Sequence, residues 1–474
     1  MIVCLFGLLA GALAPRPAWA LDPSLPTAAL ETRRLGPADG LPKAEVLALE
    51  QTLDRFLWIG TEAGLVRYDG QHFQELEKAR LPGATAEAVE SLALDLEGYL
   101  FVGLRRSGLM RFTGRNFLAV SRPASGDWRV TVLEERPDGF LWVAGPDQLW
   151  HLDRGGNSVK PALPGVGIRH LFTDAYGATW VAARSGLFRR IGAAFQPVTL
   201  PFGRTAPDAR TLALDGQGNL WLAPAAGGLW RLSGGYERGG LPQEISEERL
   251  FDGILVEDSL TDRAGRLWLS SSAGLFRQTL AGIEAVPGIR EPCGVLFEDA
   301  DGDIWVGGKN GSLWQVYSRR GAPKPQPVLA RITTSSAEYL PASRLELAAD
   351  QKGLRLELAA PYFEPGARPK FRWRLEGQDE DWQESGGNVA EYPQIAAGRH
   401  LFRAQASFSA SFEGEELRLE IVMPRSPWRN PLVWLAVIAG LLVVAGLAFY
   451  LLRPPPEYHD EDHDDPHEDD PRFP

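Results

Sequence analysis

The sequence predicts an all-β chain: a seven-bladed β-propeller, then a β-sandwich, then one C-terminal transmembrane helix. Three observations predict it. The stretch FLWIGTEAGLVRYDG, Phe56 to Gly70, returns in degenerate copies until about residue 317, at a spacing of roughly 40 residues, the period of a four-stranded propeller blade. Beyond a proline-rich stretch the texture changes to alternating strands. Near the C-terminus Leu432 to Leu452 runs without a charge, and about 20 such residues cross a bilayer as a helix.

Composition agrees. A chain of 474 residues, 44% hydrophobic and 23% charged, has material for two or three ordinary globular domains. Fifteen Trp, 51 Gly and 36 Pro beside three Met favour short strands and tight turns over long helices. The net charge of -12 is concentrated: Glu457 to Pro474 holds nine of the 61 acidic residues. The remainder is mildly acidic, which excludes a general nucleic-acid surface.

Residues 1–20 read as a secretory signal peptide. Ile2 to Ala14 is apolar, and Ala18-Trp19-Ala20 fits the small-x-small cleavage pattern before Leu21. No Lys or Arg precedes the apolar run, and the alternative is a membrane anchor, for which the run is short. Cys4 leaves with the signal, so Cys293 stands alone and no intrachain disulfide is possible.

The propeller is expected over residues 29–320. Its seven copies align on Trp58, Phe101, Trp142, Trp180, Trp221, Trp268 and Trp305. Gly lies three before the aromatic in six copies, and Asp six before it in five. This D-x-x-G suits a tight hairpin, with Asp bonding the turn backbone and Gly supplying a positive φ. A G-L-x-R motif follows in most copies, as in Gly64 to Arg67. In the first copy the strands are expected at Val46 to Glu50, Leu57 to Gly60, Leu65 to Tyr68 and near Phe73 to Leu76. The seventh copy lacks an outer strand, and Glu31 to Leu35 from the N-terminus is expected to supply it and close the ring.

Gly40-Leu41-Pro42 followed by LWIGTEAGLVRYDG resembles the two-component regulator propeller repeat, found in sensory ectodomains of bacterial membrane receptors. The first copy departs from it with Arg55 for the turn Gly, the second with Phe101 for Trp, and the third with Gln148 where G-L-x-R begins. After the linker at 321–328, Phe371 to Gly377, Asp381-Trp382, Tyr392 and Ala397-Gly398 before Phe402 resemble the Y_Y_Y domain, which implies an immunoglobulin-like sandwich over 329–424. Trp373 or Phe371, and His400, stand for two of its usual tyrosines. In such receptors a kinase, cyclase or DNA-binding output follows the membrane span.

The span is expected at 431–452, with Trp428 and Trp434 at one interface and Phe449 and Tyr450 at the other. A buried soluble helix is the alternative. With a cleaved signal it places the N-terminal region in the periplasm and the C-terminus in the cytoplasm of a bacterial inner-membrane protein. Arg453-Pro454-Pro455-Pro456 stops the helix, and 453–474 reads as a disordered acidic tail in place of an output domain. Its His459, His463 and His467 are spaced for a helix face that binds Zn or Ni, but Pro466 and the charge density oppose such a helix.

The repeated aromatics and arginines are expected to be structural, so function is sought where the copies differ. In the loops between second and third strands, Arg105, Arg106, Arg184 and Lys309 outnumber Glu62 and Asp147. Arginine forks suit carboxylates, so these six residues are the candidate site for a small anionic ligand or acidic saccharide, against the alternative of solvated loop charges. Asp299 to Asp303 has a faint likeness to a calcium loop, but the repeated hairpin accounts for it.

No cofactor motif is present, and none of the propeller histidines, His72, His151 and His170, belongs to a ligand-spaced cluster. The expectation is a periplasmic ligand sensor acting as a homodimer or through a separate kinase or cyclase. A membrane-tethered polysaccharide lyase or hydrolase, or a scaffold for protein partners, is the alternative. Ala436 and Gly440 form a small-x-x-x-small pair for helix pairing.

Overall fold

The computed structural model describes residues 21 to 452 apart from short stretches, the longest being 77–86 and 234–243. The signal peptide expected at 1–20 and the tail at 453–474, with His459, His463 and His467, lie outside the described residues.

Five strands introduce the architecture: β1 (Glu31–Leu35), β2 (Val46–Gln51), β3 (Leu57–Thr61), β4 (Gly64–Tyr68) and β5 (Phe73–Glu75). Strands β2 to β5 form a four-stranded antiparallel meander, sheet 1. Five more meanders follow, starting at Val89, Val132, Ile168, Ala209 and Val256. Sheet 7 has three strands of its own, from Cys293 to Tyr317, and β1 is the fourth. It pairs antiparallel with Leu313–Tyr317, Glu31 opposite Tyr317 and Leu35 opposite Leu313. The first strand of each sheet touches the first strand of both neighbours, and Cys293–Glu298 touches β2. Strands in such a closed cycle surround an axis, which is the arrangement of a β-propeller.

The register explains the repeat. Each aromatic is the second residue of its sheet's second strand, inside the strand rather than at its end, and is at most 2% exposed. The Arg of G-L-x-R stands directly opposite it: Trp58 pairs with Arg67, Trp180 with Arg189, Trp221 with Arg231 and Trp268 with Arg277. The guanidinium lies over the indole, 4.8 Å from the ring centre at Trp180 and 5.6 Å at Trp268. Such contacts contribute about 0.5–2 kcal/mol each. His151 and Gln315 hold that register in sheets 3 and 7.

The turn Asp has two partners. In sheet 5, Asp215 Oδ1 accepts the backbone N–H groups of Gln217 and Asn219, while Oδ2 accepts the Trp221 indole N–H at 2.8 Å. Asp174, Asp262 and Asp299 accept from Trp180, Trp268 and Trp305 in the same way. In sheet 1 Thr52 replaces the Asp, and Trp58 donates to its hydroxyl at 2.8 Å. Gly218 and Gly265 both have φ of 81°. Arg55, where sheet 1 lacks this Gly, is forced to φ 69° and pairs with Asp301 of sheet 7.

A second periodic signal escapes inspection for aromatics. Two residues after each aromatic stands Gly60, Gly103, Ala144, Ala182, Ala223, Ser270 or Gly307, always small. A Cβ on Gly60 would lie 2.8 Å from Val89 Cγ1 of the next sheet, and one on Gly307 would lie 2.8 Å from Val46 Cγ1 across the seam. Adjacent sheets meet there too closely for a larger side chain.

The second unit comprises two sheets. One holds Val328–Thr333, Glu338–Tyr339, Leu354–Ala359 and Val389–Tyr392; the other holds Arg344–Glu346, Lys370–Leu375, Gln383–Ser385, Gly398–Ser407 and Glu416–Met423. A common core, including Leu356, Ile332, Phe402 and Leu419, lies between them, so they form a sandwich. Tyr392 donates its hydroxyl to Asp379 at 2.7 Å, and His400 meets the Ala396 carbonyl at 2.8 Å. Phe371 and Trp373 are buried in the core.

The sandwich docks on the seam. Phe363 packs between Tyr68 of sheet 1 and Trp305 of sheet 7, with ring centres 5.8 and 5.1 Å away. Arg67 donates to the Ala330 carbonyl, and Ala359 joins the core shared by sheets 1 and 2.

The C-terminal helix α1 (Pro431–Leu451) has 21 residues. Leu435, Ile438, Leu441, Leu442, Val444, Leu447 and Phe449 are each at least half exposed. Among the described residues no helix is long and apolar enough to cross a membrane. The uncharged run expected to span a membrane forms the continuous helix α1.

Candidate functional site

In four sheets the bulge residue of the first strand sits at the same place, eleven before the aromatic, and brings charge to one mouth of the ring. The extra residues are Glu90, Arg169, Arg210 and Glu257 in sheets 2, 4, 5 and 6. A bulge bends the strand and re-aims one side chain. The loops between second and third strands reach this mouth, because Arg105 and Lys309 meet these residues.

Four of the six candidate residues carry partners. Arg105 donates to Glu90 at 2.6 Å and to Glu62 of sheet 1 at 3.1 Å. Arg129 of sheet 3 also pairs with Glu90. Lys309 of sheet 7 binds Glu257 of sheet 6 at 2.6 Å, and Arg210 of sheet 5 shares that carboxylate. Arg106 has interactions of its own. Arg184 and Asp147 are exposed on sheets 4 and 3. The structure therefore brings Arg105, Glu62 and Lys309 into a belt of ion pairs linking adjacent sheets, not into a bare cationic patch. Glu45 beside this belt has its pKa raised by burial, with Lys309 opposing the shift and Glu62 adding to it.

Behind the mouth is a pair the sequence does not announce. His170 of sheet 4 and Asp258 of sheet 6 face each other, Nε2 to Oδ1, at 3.7 Å. Asp258 also accepts the backbone N–H groups of Leu296 and Ser259. Burial pushes the histidine pKa down and the aspartate pKa up, and each partner opposes the other's shift. No local motif links two residues on non-adjacent sheets; both stand ten before their aromatic, where the other copies have the uncharged Ala48, Ser91, Val132, Thr211 and Val295.

The Asp299 to Asp303 turn is a hairpin. Asp299 accepts from two turn N–H groups and Trp305, Asp303 accepts from Gln315, and Asp301 pairs with Arg55. Among the described residues no group of His, Cys and acidic side chains is arranged to hold a metal ion.

No protein-family model matches the chain, and no curated protein sequence does. Solved structures do. The extracellular domain of the putative hybrid two-component system BT4673 from B. thetaiotaomicron aligns with TM-score 0.51 at 16% identity, over 84% of this chain and 60% of that one. The chain thus spans about three-fifths of that domain's length. Virginiamycin B lyase from Staphylococcus aureus, in a catalytically inactive form with quinupristin, aligns with TM-score 0.51 at 13% identity over 61% of this chain and all of that one. YCF48 bound to D1 peptide gives 0.50 at 13% over 65% of this chain. At such identities the likeness is one of fold, shared by the extracellular domain of a two-component system, a lyase and a protein bound to a peptide: a β-propeller, extended here by a sandwich that the first of these alignments is long enough to include.

Proposed function

We propose that this chain is the ligand-sensing, membrane-anchored part of a bacterial signalling receptor. In this reading the seven sheets are the blades of a periplasmic propeller, and the second unit is an immunoglobulin-like domain of the Y_Y_Y type. Helix α1 crosses the inner membrane and relays to a kinase or cyclase, with Ala436 and Gly440 on the face that pairs two copies.

The observation that carries the reading is the docking of the sandwich on the propeller seam through Phe363 and Arg67, ahead of a helix whose Leu435, Leu441, Leu442 and Leu447 are each more than half exposed. Aliphatic groups exposed all round a helix are stable in lipid, not in water. A small anionic ligand is the ligand class proposed.

The test is protease protection in spheroplasts together with pull-down of the full chain. The reading requires a digestible propeller outside, a membrane fraction that resists alkaline extraction, and a kinase or cyclase in the pull-down. Release of the chain by alkali would refute the anchor.

One observation favours a second reading. A half-buried His–carboxylate pair can serve proton transfer, so His170 and Asp258 fit a propeller enzyme. Steady product release from acidic glycans, abolished in His170→Ala, would establish it.

A further inference from the structure

The joint between propeller and sandwich forms an open cleft of about 540 Å³, within the usual 300–1,000 Å³ of small-molecule sites. One wall comes from the propeller, with Arg33 of β1 and Asp69, Gln71 and His72 of the turn after β4. The other comes from the sandwich, with Arg368 and Asn388.

The charges on these walls are unevenly used. Asp69 accepts the backbone N–H groups of Gln71 at 2.8 Å and His72 at 2.6 Å, and His72 Nδ1 lies 3.5 Å from its other oxygen. Its negative charge is thus engaged within its own turn. Arg33 is held from behind by the Tyr68 hydroxyl, which in turn donates to the Gly70 carbonyl at 2.7 Å. Arg368 is exposed and, among the described residues, has no ion-pair partner. Asn388 spends its amide N–H on the Leu358 carbonyl at 2.9 Å, leaving its side-chain oxygen as an acceptor. The exposed Gln71 amide both donates and accepts.

We propose that this cleft binds a small hydroxylated carboxylate of uronic-acid type. Arginines from two domains take the carboxylate, whose planar oxygens suit their forks. Asn388 and Gln71 take the hydroxyls. The proposal rests on the ligand-sensing reading and moves the ligand from the mouth, where Arg105 and Lys309 are already committed to carboxylates, to the joint. A ligand held by both walls binds the docked arrangement better than any other and shifts the population toward it. That gives the sandwich a direct report of occupancy.

The test titrates D-glucuronate into the full chain in detergent, at constant ionic strength, by calorimetry. Saturable binding is expected, weakened at least about tenfold in both Arg368→Ala and Arg33→Gln. The Arg105→Ala, Arg184→Ala double variant keeps wild-type affinity. Arg368 is exposed, so its variant folds, and thermal unfolding without ligand verifies this for each. Absence of saturable binding to the wild type, or unchanged affinity in Arg368→Ala, overturns the proposal. Loss confined to the mouth variant overturns the cleft while leaving an anion-sensing receptor intact. Failure of the receptor reading itself appears separately, in the protease-protection experiment.

Discussion

Replacing Asp215 by Ala tests why the turn and the tryptophan of each repeat travel together. The substitution strips acceptors from two turn N–H groups, from the Asn219 amide, from Gln278 of the next sheet and from the Trp221 indole N–H. Gln217 is exposed, so water replaces its bond at small cost. Trp221 is 2% exposed, so its N–H is left dry and unpaired, which costs about 1–3 kcal/mol. With about 1–2 kcal/mol for the remaining bonds, the total is about 2–5 kcal/mol. Asp95 provides the internal comparison. It caps the same turn through Glu97 and Tyr99, but its aromatic is Phe101, which has no N–H. Asp95→Ala should cost only about 1–1.5 kcal/mol. Urea midpoints measure both, and a cycle with Trp221→Phe isolates the indole term. In the Trp221→Phe background the cost of Asp215→Ala should fall by about 2 kcal/mol. Equal losses at Asp95 and Asp215, or no change in the Phe background, would refute the account.

Three further outcomes follow from the same geometry. Gly307→Val forces a side chain against Val46 at the seam and should cost about 3 kcal/mol or more in urea unfolding, at the upper end of overpacking effects. Arg55→Ala should be less stable than Arg55→Gly by about 1 kcal/mol, because both lose the Asp301 ion pair while only Gly accepts φ 69° freely. Stability should also depend on pH through buried carboxyls between sheets. Burial raises Glu134 to about 8 and Glu50 to about 7, with the backbone N–H of Thr173 opposing the shift at Glu134. Each therefore binds its proton more tightly folded than unfolded, and stability falls as pH rises from about 4.5 to about 8. Glu134→Gln should flatten that fall in thermal unfolding measured from pH 5 to 9.

The ring was legible because its strongest contacts are periodic. Trp58, the turn Asp and the Arg of G-L-x-R recur since each sheet solves the same packing problem, and β1 was found by asking which strand the seventh copy lacked. The short edge strands Glu338–Tyr339 and Gln383–Ser385 were not legible, because they bury little and carry no alternation. The candidate site was only partly readable. Arg105 and Lys309 do reach the mouth, but the carboxylates that neutralise them, Glu90 and Glu257, come from bulged strands whose position a linear pattern does not mark. His170 and Asp258 meet only because the ring brings sheets 4 and 6 to a common axis.

The pairing of Glu31 with Tyr317, 286 residues apart, also sets a timetable. In a chain delivered N-terminus first, β1 emerges at the start and waits for nearly the whole ring before its partner arrives. Contacts of such separation make folding slow, and until they form, Leu313–Tyr317 is an open strand edge able to accept a strand from another copy. Phe363 of the sandwich arrives later still and packs over this junction between Tyr68 and Trp305. The sandwich is thus a late latch, and a copy whose own β1 is lost is poised to borrow one from its neighbour.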